Sequence, residues 1–190
     1  AKPLENALSE FASLYESEFQ QMMANKLGLL EFRPRDKELL DGLENVLSLA
    51  ETDMTLFYRG LADATEEMTP TARFTCLHDA FYNESELTDP VTTEISRWLG
   101  DYLQRVSTDG VSDQKRRDRM NQVNPLYVLR NYRAQLEIDA AGKGDFSAVN
   151  ELLDVLRKPY TKQPHRDEYA AKRPEWARHR VGCSMLSCSS

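Results

Sequence analysis

The 190 residues suffice for one domain or two small ones around a core that needs no disulfide staples, and 41% hydrophobic with 29% charged residues is the balance of a globular chain. No run reaches the roughly 18–20 apolar residues of a membrane span, and the N-terminus lacks the charged-then-apolar order of a secretory signal, so no membrane role and a cytoplasmic location are expected. The net charge of −7 divides into +5 from Arg157 to Gly182 and −12 elsewhere; an acidic body lacks the basic face that displaces phosphate counterions, which argues against a general nucleic-acid binder.

The first segment reads helical. Leu4, Leu8, Phe11, Leu14, Tyr15, Phe19, Met22, Met23 and Leu27 recur three or four residues apart, and Gly28 stands where a helix reverses. A second helix is expected from Asp36, after Pro34, through Leu39, Leu40, Leu43, Val46, Leu47 and Ala50, and a third from Asp53 with Leu56, Phe57, Gly60 and Leu61 inward, fraying toward Met68 and ended by Pro70. Ala72 to Tyr82 suggests a short helix with Phe74, Leu77 and Phe81 on one side. Asp89-Pro90 reads as a cap followed by proline, opening a firm amphipathic pattern from Val91 to Val106. Ser112 to Gln122 is polar and is expected as a solvated helix. Asn124-Pro125 is the strongest start signal, introducing Leu126 to Ala140 up to Gly142 or Gly144, and Asp145 caps a last helix through Val149, Leu152, Leu153 and Leu156.

Past Pro159 the prolines, charges and final serines leave too few apolar residues for a core of their own, so this stretch is expected to lie over the helices with Tyr160, Tyr169 and Trp176 as anchors, or to dock elsewhere. Strand alternation and repeats are absent from the pattern. The expected fold is all-α, an irregular multi-helix bundle over 1–158 with an extended basic tail over 159–190. Ala1 in place of Met suggests a piece of something longer.

Equipment for independent catalysis is missing from the sequence. It holds no Walker or Rossmann phosphate loop, no H-E-x-x-H and no G-x-S-x-G. His78 sits in an amphipathic segment without a visible partner and reads as structural. His165, His179, Cys183 and Cys188 could be drawn as a zinc set, but the spacing is irregular and no paired C-x-x-C anchors it, so no metal is expected. Arg130-Asn131 interrupts an apolar run, and a partly buried arginine there needs a carboxylate or carbonyls; a structural polar network is preferred over a binding role. Of three cysteines, two, Cys183 and Cys188, lie in the last eight residues, while Cys76 is expected to be inert in its helix.

Several stretches together carry a resemblance. MNQVNPLYVLRN (120–131), LLDVLRKPY (152–160), RPEW (173–176) and the closing CSS (188–190), with KLGL (26–29) and DMTLFYR (53–59) upstream, resemble the C-terminal region of the selenoprotein O family. That resemblance implies a segment of a kinase-like protein adenylyltransferase, which uses ATP with Mg or Mn to place AMP on protein hydroxyls. The catalytic and nucleotide-binding residues of the family precede the matched part, so no catalytic residue and no cofactor of this segment are carried over. The partners implied are the preceding kinase-like region of the parent chain and the parent's protein substrates. Family members with selenocysteine place it third from the end, where Cys188 stands here, which implies redox chemistry, with Cys183 as a partner thiol in an electropositive stretch beside Arg178, His179 and Arg180. A self-contained α-helical interaction module with a basic docking tail is the alternative, and a small thiol oxidoreductase is disfavoured because no C-x-x-C opens a helix.

Overall fold

A computed structural model of the chain describes residues 2–183, with side chains from residue 8 onward. The described residues are helical and form no strand, with an isolated bridge between Thr52 and Phe81, and none of their helices is long and apolar enough to cross a membrane. Packing divides the chain into two units, with the boundary between Val123 and Asn124.

The first unit contains α1 (Lys2–Leu27), α2 (Asp36–Ser48), α3 (Met54–Asp63), α4 (Pro70–His78), α5 (Asp89–Ser107) and α6 (Asp113–Val123). Local chemistry sets most of the boundaries. Gly28 ends α1 at φ +73°, and a Cβ there would lie 2.8 Å from Arg116 Cγ and 2.9 Å from Met120 Cγ, so both the backbone sign and the close approach of α6 require glycine. The Asp53 carboxylate accepts from Leu56 N at 3.1 Å at the start of α3, and the Thr69 hydroxyl accepts from Ala72 N at 3.3 Å at the start of α4. Pro70 therefore opens a helix rather than closing one, since its missing N–H is harmless in a first turn. Between the third and fourth helices' outer ends, Asp53 N donates to Ala80 O at 2.7 Å and Tyr82 N to Glu51 O at 2.9 Å, which forms the bridge.

The core of this unit is continuous, with Leu27, Leu43, Phe57, Leu61, Leu77, Ile95, Leu99 and Met120 fully buried among others. Trp98 stacks on Tyr102 at 5.5 Å and donates from its indole to Leu39 O at 2.9 Å. One face of the unit is closed by a charged network. Asp36, buried, takes two hydrogen bonds from the Arg105 guanidinium at 2.6 and 3.0 Å, and Asp109 takes one each from Arg105, Arg33 and Leu30 N, all at 2.8 Å. Burial works against the Asp109 anion, but the Leu30 amide and the two guanidiniums outweigh it and hold the carboxyl below its usual range.

The segment expected as a solvated helix is a helix and is largely exposed, but two of its side chains turn into the core. In α6, Arg116 is 2% exposed and Met120 fully buried. Arg116 donates to Tyr102 Oη at 3.0 Å, Leu61 O at 3.4 Å, Asp113 Oδ1 at 3.1 Å and Ala64 O, and Tyr102 Oη donates on to Leu27 O at 2.9 Å. Desolvation pushes the Tyr102 phenol up to about 12, so it stays protonated and acts as the relay between the arginine and the end of α1.

The second unit contains α7 (Asn131–Ala141), α8 (Ser147–Leu156) and the short α9 (Asp167–Ala170), with a 3-10 turn at Glu175–Ala177. The strong start signal at Asn124-Pro125 does not open a helix. Residues 124–130 run without helix, because Leu126 N and Tyr127 N both donate to Pro159 O, at 2.8 and 3.1 Å, and the buried Tyr127 ring joins Leu152, Val155 and Tyr169 in a small core. Gln163 N donates to Tyr127 Oη at 3.0 Å, and the Gln163 side chain donates to Val155 O at 2.9 Å. Backbone donors that find a distant carbonyl no longer need a helix. The residues after Pro159 accordingly fold back on their own unit instead of extending: Tyr169 is buried as expected, whereas Tyr160 and Trp176 keep almost half their surface exposed.

Candidate functional site

Gly182 positions the thiol that the sequence singled out. It adopts φ +81°, and a Cβ on it would meet Gln135 Oε1 at 2.5 Å, so the chain passes tightly against α7 before turning. Cys183 N then donates to Arg180 O at 3.1 Å. The turn sends the Cys183 side chain inward, where it is 4% exposed and packs with Tyr132 and Ala177. Tyr132 Oη donates to Ala171 O at 3.2 Å, and its ring meets Trp176 edge-on at 6.2 Å.

The Arg130-Asn131 pair reaches the same place. Arg130 is the residue before the first turn of α7, at φ −82° and ψ 135°, and its carbonyl accepts from Arg133 N and Ala134 N at 2.9 and 3.0 Å. Arg130, Asn131, Tyr132, Arg173 and Cys183 line one open depression of about 370 Å³. Two regions quoted separately from the sequence, one before α7 and one near the chain's end, are thus neighbours. Sequence reading missed Arg173 and Tyr132 here; the arginine of the RPEW stretch was visible as a motif, but nothing local linked it to Arg130. Cys188 and the rest of the closing serine-rich stretch lie outside the described residues.

The cationic neighbours expected to surround Cys183 are engaged. Arg180 pairs with Asp139, and Arg178 donates from Nε to Glu175 at 3.0 Å. Lys162 sits 3.5 Å from Asp167, and Arg166 pairs with Glu151. Arg133 is sandwiched between Glu168, at 2.9 Å, and the Tyr169 ring, 4.1 Å from its centroid. Several cations of the basic stretch are therefore paired with carboxylates of their own unit.

The remaining candidates are structural in this geometry. Cys76 donates to Ala72 O at 3.4 Å, and burial followed by the Asp63 carboxylate pushes its thiol up, away from the reactive thiolate. His78 is half-exposed, 3.9 Å from both Asp79 and Glu84. A larger cleft of about 760 Å³ runs between α2 and α5, but its Arg97 already pairs with Glu94 and Asp101 and its Arg105 with Asp36. Among the described residues no three His, Cys, Asp or Glu side chains stand together as a metal site would need.

The comparison with known proteins decides what kind of chain this is. Residues 1–157 match the family model described as protein adenylyltransferase SelO. The chain belongs to the SelO family. It is similar to curated proteins named protein nucleotidyltransferase YdiU: 48% identical to that of Rhodopirellula baltica over all of this chain and 37% of the relative, 48% to that of Tolumonas auensis over 98% and 35%, and 44% to that of Flavobacterium johnsoniae over 98% and 36%. This SelO-family chain spans little more than a third of the length of the curated relatives it matches. The family model covers the first unit and the second as far as residue 157, and the matches to the relatives cover at least 98% of the chain.

Proposed function

We propose that this chain is the C-terminal helical segment of a SelO-type protein adenylyltransferase, a parent enzyme that moves AMP from ATP to protein Ser, Thr or Tyr hydroxyls, and that the segment is inactive by itself. The observation that carries this reading is the pairing of a family match over 1–157 with coverage of about 36% of the relatives. ATP and Mg or Mn belong to the parent's kinase-like region, which this segment supports. The described residues present no donor set that fits such a metal, so no step of AMP transfer is assigned to them.

The tail thiols complete the reading. Oxidation of Cys188 with Cys183, or with a thiol of the kinase-like region, removes two protons and two electrons, which a glutathione disulfide takes up as it is split into two thiols. A bridge between 183 and 188 closes a short loop and adds little stability, so its role is switching. Cys183 is buried under Tyr132 and Ala177, so its turn must open before it reacts, which makes the tyrosine packing the brake on the switch.

The test is transfer of labelled AMP from ATP to a generic protein acceptor, run with Mg or Mn on this chain and on the full-length parent. Transfer by the parent alone is the expected result, and transfer by the isolated chain overturns the reading. Alkylation mapping under graded glutathione potentials checks the thiols separately: two free thiols at mildly oxidising potentials remove the switch.

A further inference from the structure

α1 enters the core of the first unit only through its last turns, and an apolar stripe along residues 8–22 is left unused there. At ~100° per residue, Leu8, Phe11, Leu14, Tyr15, Phe19 and Met22 fall within about 140° of arc. The buried residues of the same helix, Met23, Ala24 and Leu27, centre about 160° away, on nearly the opposite side. The six residues of the first face are all exposed, and Leu8, Phe11, Leu14 and Tyr15 keep 61–65% of their surface open. Phe11, Tyr15 and Phe19 stack along this face with ring centroids 6.1 and 6.3 Å apart. Alongside this stripe the opposite side of the helix is polar, with Ser9, Ser13, Glu16 and Gln20, so the apolar side is the one built to be packed, and exposed aromatic stripes of this length mark interfaces.

The exposed part also lacks the means to hold itself helical. From residue 8 to 18 every side chain is exposed, and the local hydrogen bonds are short-range ones, such as the Ser13 hydroxyl donating to Glu10 O at 3.0 Å and Gln20 to Glu16 at 3.3 Å. Helices of such length are marginal in water without a packed face.

We infer that the Leu8–Met22 face of α1 is the docking surface for the part of the parent polypeptide that this chain does not contain. The inference rests on the reading of the chain as a segment of a longer adenylyltransferase, and three observations select this occupant. Nearly two thirds of the relatives' length lies outside the match. The face lies at the N-terminal end, where the resemblance places the kinase-like region just upstream. Between Lys2 and Lys26 the helix has no basic residue, Glu18 falls inside the apolar arc and Glu5 and Glu10 fall just beyond its two edges, so the matching surface is an apolar groove that bears lysine or arginine. Docking of this kind makes the helical segment a brace for the catalytic region rather than a tethered appendage.

The experiment replaces Phe11 with the photo-crosslinker p-benzoylphenylalanine in the full-length parent, with Ser13, on the opposite side, as the control position. After irradiation, adducts from position 11 to peptides upstream of residue 1 of this chain, within one polypeptide, are the expected result, with at least fivefold fewer from position 13. Adducts between two polypeptides overturn the inference in favour of a second copy, and absence of a position-specific adduct overturns it in favour of a solvated face. Deuterium exchange supplies the second readout: amides 8–19 are expected to be slow in the parent and at least tenfold faster in the Phe11→Glu, Tyr15→Glu variant, while amides of α5 stay slow in both. Neither readout needs catalysis, so an inactive parent that still crosslinks separates failure of the activity reading from failure of this one, and a gene encoding no upstream polypeptide removes both.

Discussion

The two units of the chain are stabilised differently. The first, with 13 basic against 23 acidic residues, is organised around one continuous core of aliphatic and aromatic side chains, to which Arg116 and the Asp36–Arg105–Asp109 network are added as internal struts. The second, with 11 basic against 8 acidic residues, holds two small clusters, one around Tyr127 and one around Tyr132 and Cys183, and relies on ion pairs, a guanidinium on a tyrosine ring and backbone bonds to Pro159 and Gln163. Burial of apolar area is the large term in folding, while partly exposed ion pairs contribute little. The second unit should therefore open first, and it is the one that carries the tail thiol.

The two tryptophans make this comparison measurable, since Trp98 is buried in the first unit and Trp176 is 49% exposed in the second. In a Trp176→Phe background, fluorescence follows the first unit alone, and deuterium exchange follows both.

Leu99→Ala carries the largest expected effect, a loss of about 2–5 kcal/mol in urea unfolding followed by Trp98, because a fully buried leucine leaves a cavity that its neighbours fill poorly. A loss under 1 kcal/mol would mean that the first unit lacks the rigid core described. Arg116→Ala comes next, at about 1–3 kcal/mol for each carbonyl or hydroxyl left without its donor, with Tyr102, Leu61 and Ala64 affected. Loss of protection is expected at the end of α3 and the start of α6 together; an unchanged exchange pattern sinks the strut role. In the second unit, Gly182→Ala forces a left-handed residue and a clash with Gln135, costing on the order of 1–2 kcal/mol. Its signature is local: Cys183 alkylation accelerates at least threefold, while Trp98 fluorescence is unmoved. Lys162→Gln is the smallest change, within about 0.5 kcal/mol, because its 3.5 Å pair with Asp167 is exposed on both sides.

Much of the helical outline was legible because its signals are local. Gly28, Asp53 and Pro90 act on backbone groups within one turn, and the three- and four-residue spacing from Leu39 to Val46 and from Ile95 to Val106 is the spacing of a buried helix face. Legibility failed where a local signal competed with a distant partner. Asn124-Pro125 has the chemistry of a helix start, yet the amides of Leu126 and Tyr127 bond to Pro159, more than thirty residues away. The polarity of the α6 sequence is that of a solvated helix, yet Arg116 finds Leu61 and Ala64 more than fifty residues earlier and buries its charge among carbonyls. Of the candidate site, Arg130, Asn131 and Cys183 were chosen from sequence for separate reasons, and their shared depression with Arg173 follows from the fold alone.

By itself, then, the sequence determined the all-helical class, most helix boundaries and, through motifs spread from Lys26 to Trp176, the SelO kinship. Each of these depends on residue types at short spacing or on motif order, and both are written along the chain. Tertiary structure decided the division at Val123–Asn124, the burial of Arg116 and Cys183, the return of the stretch after Pro159 onto its own unit, and which part of α1 is packed within its unit. Those depend on contacts between residues tens of positions apart, where the balance between desolvation and a found partner, rather than any local preference, fixes the outcome.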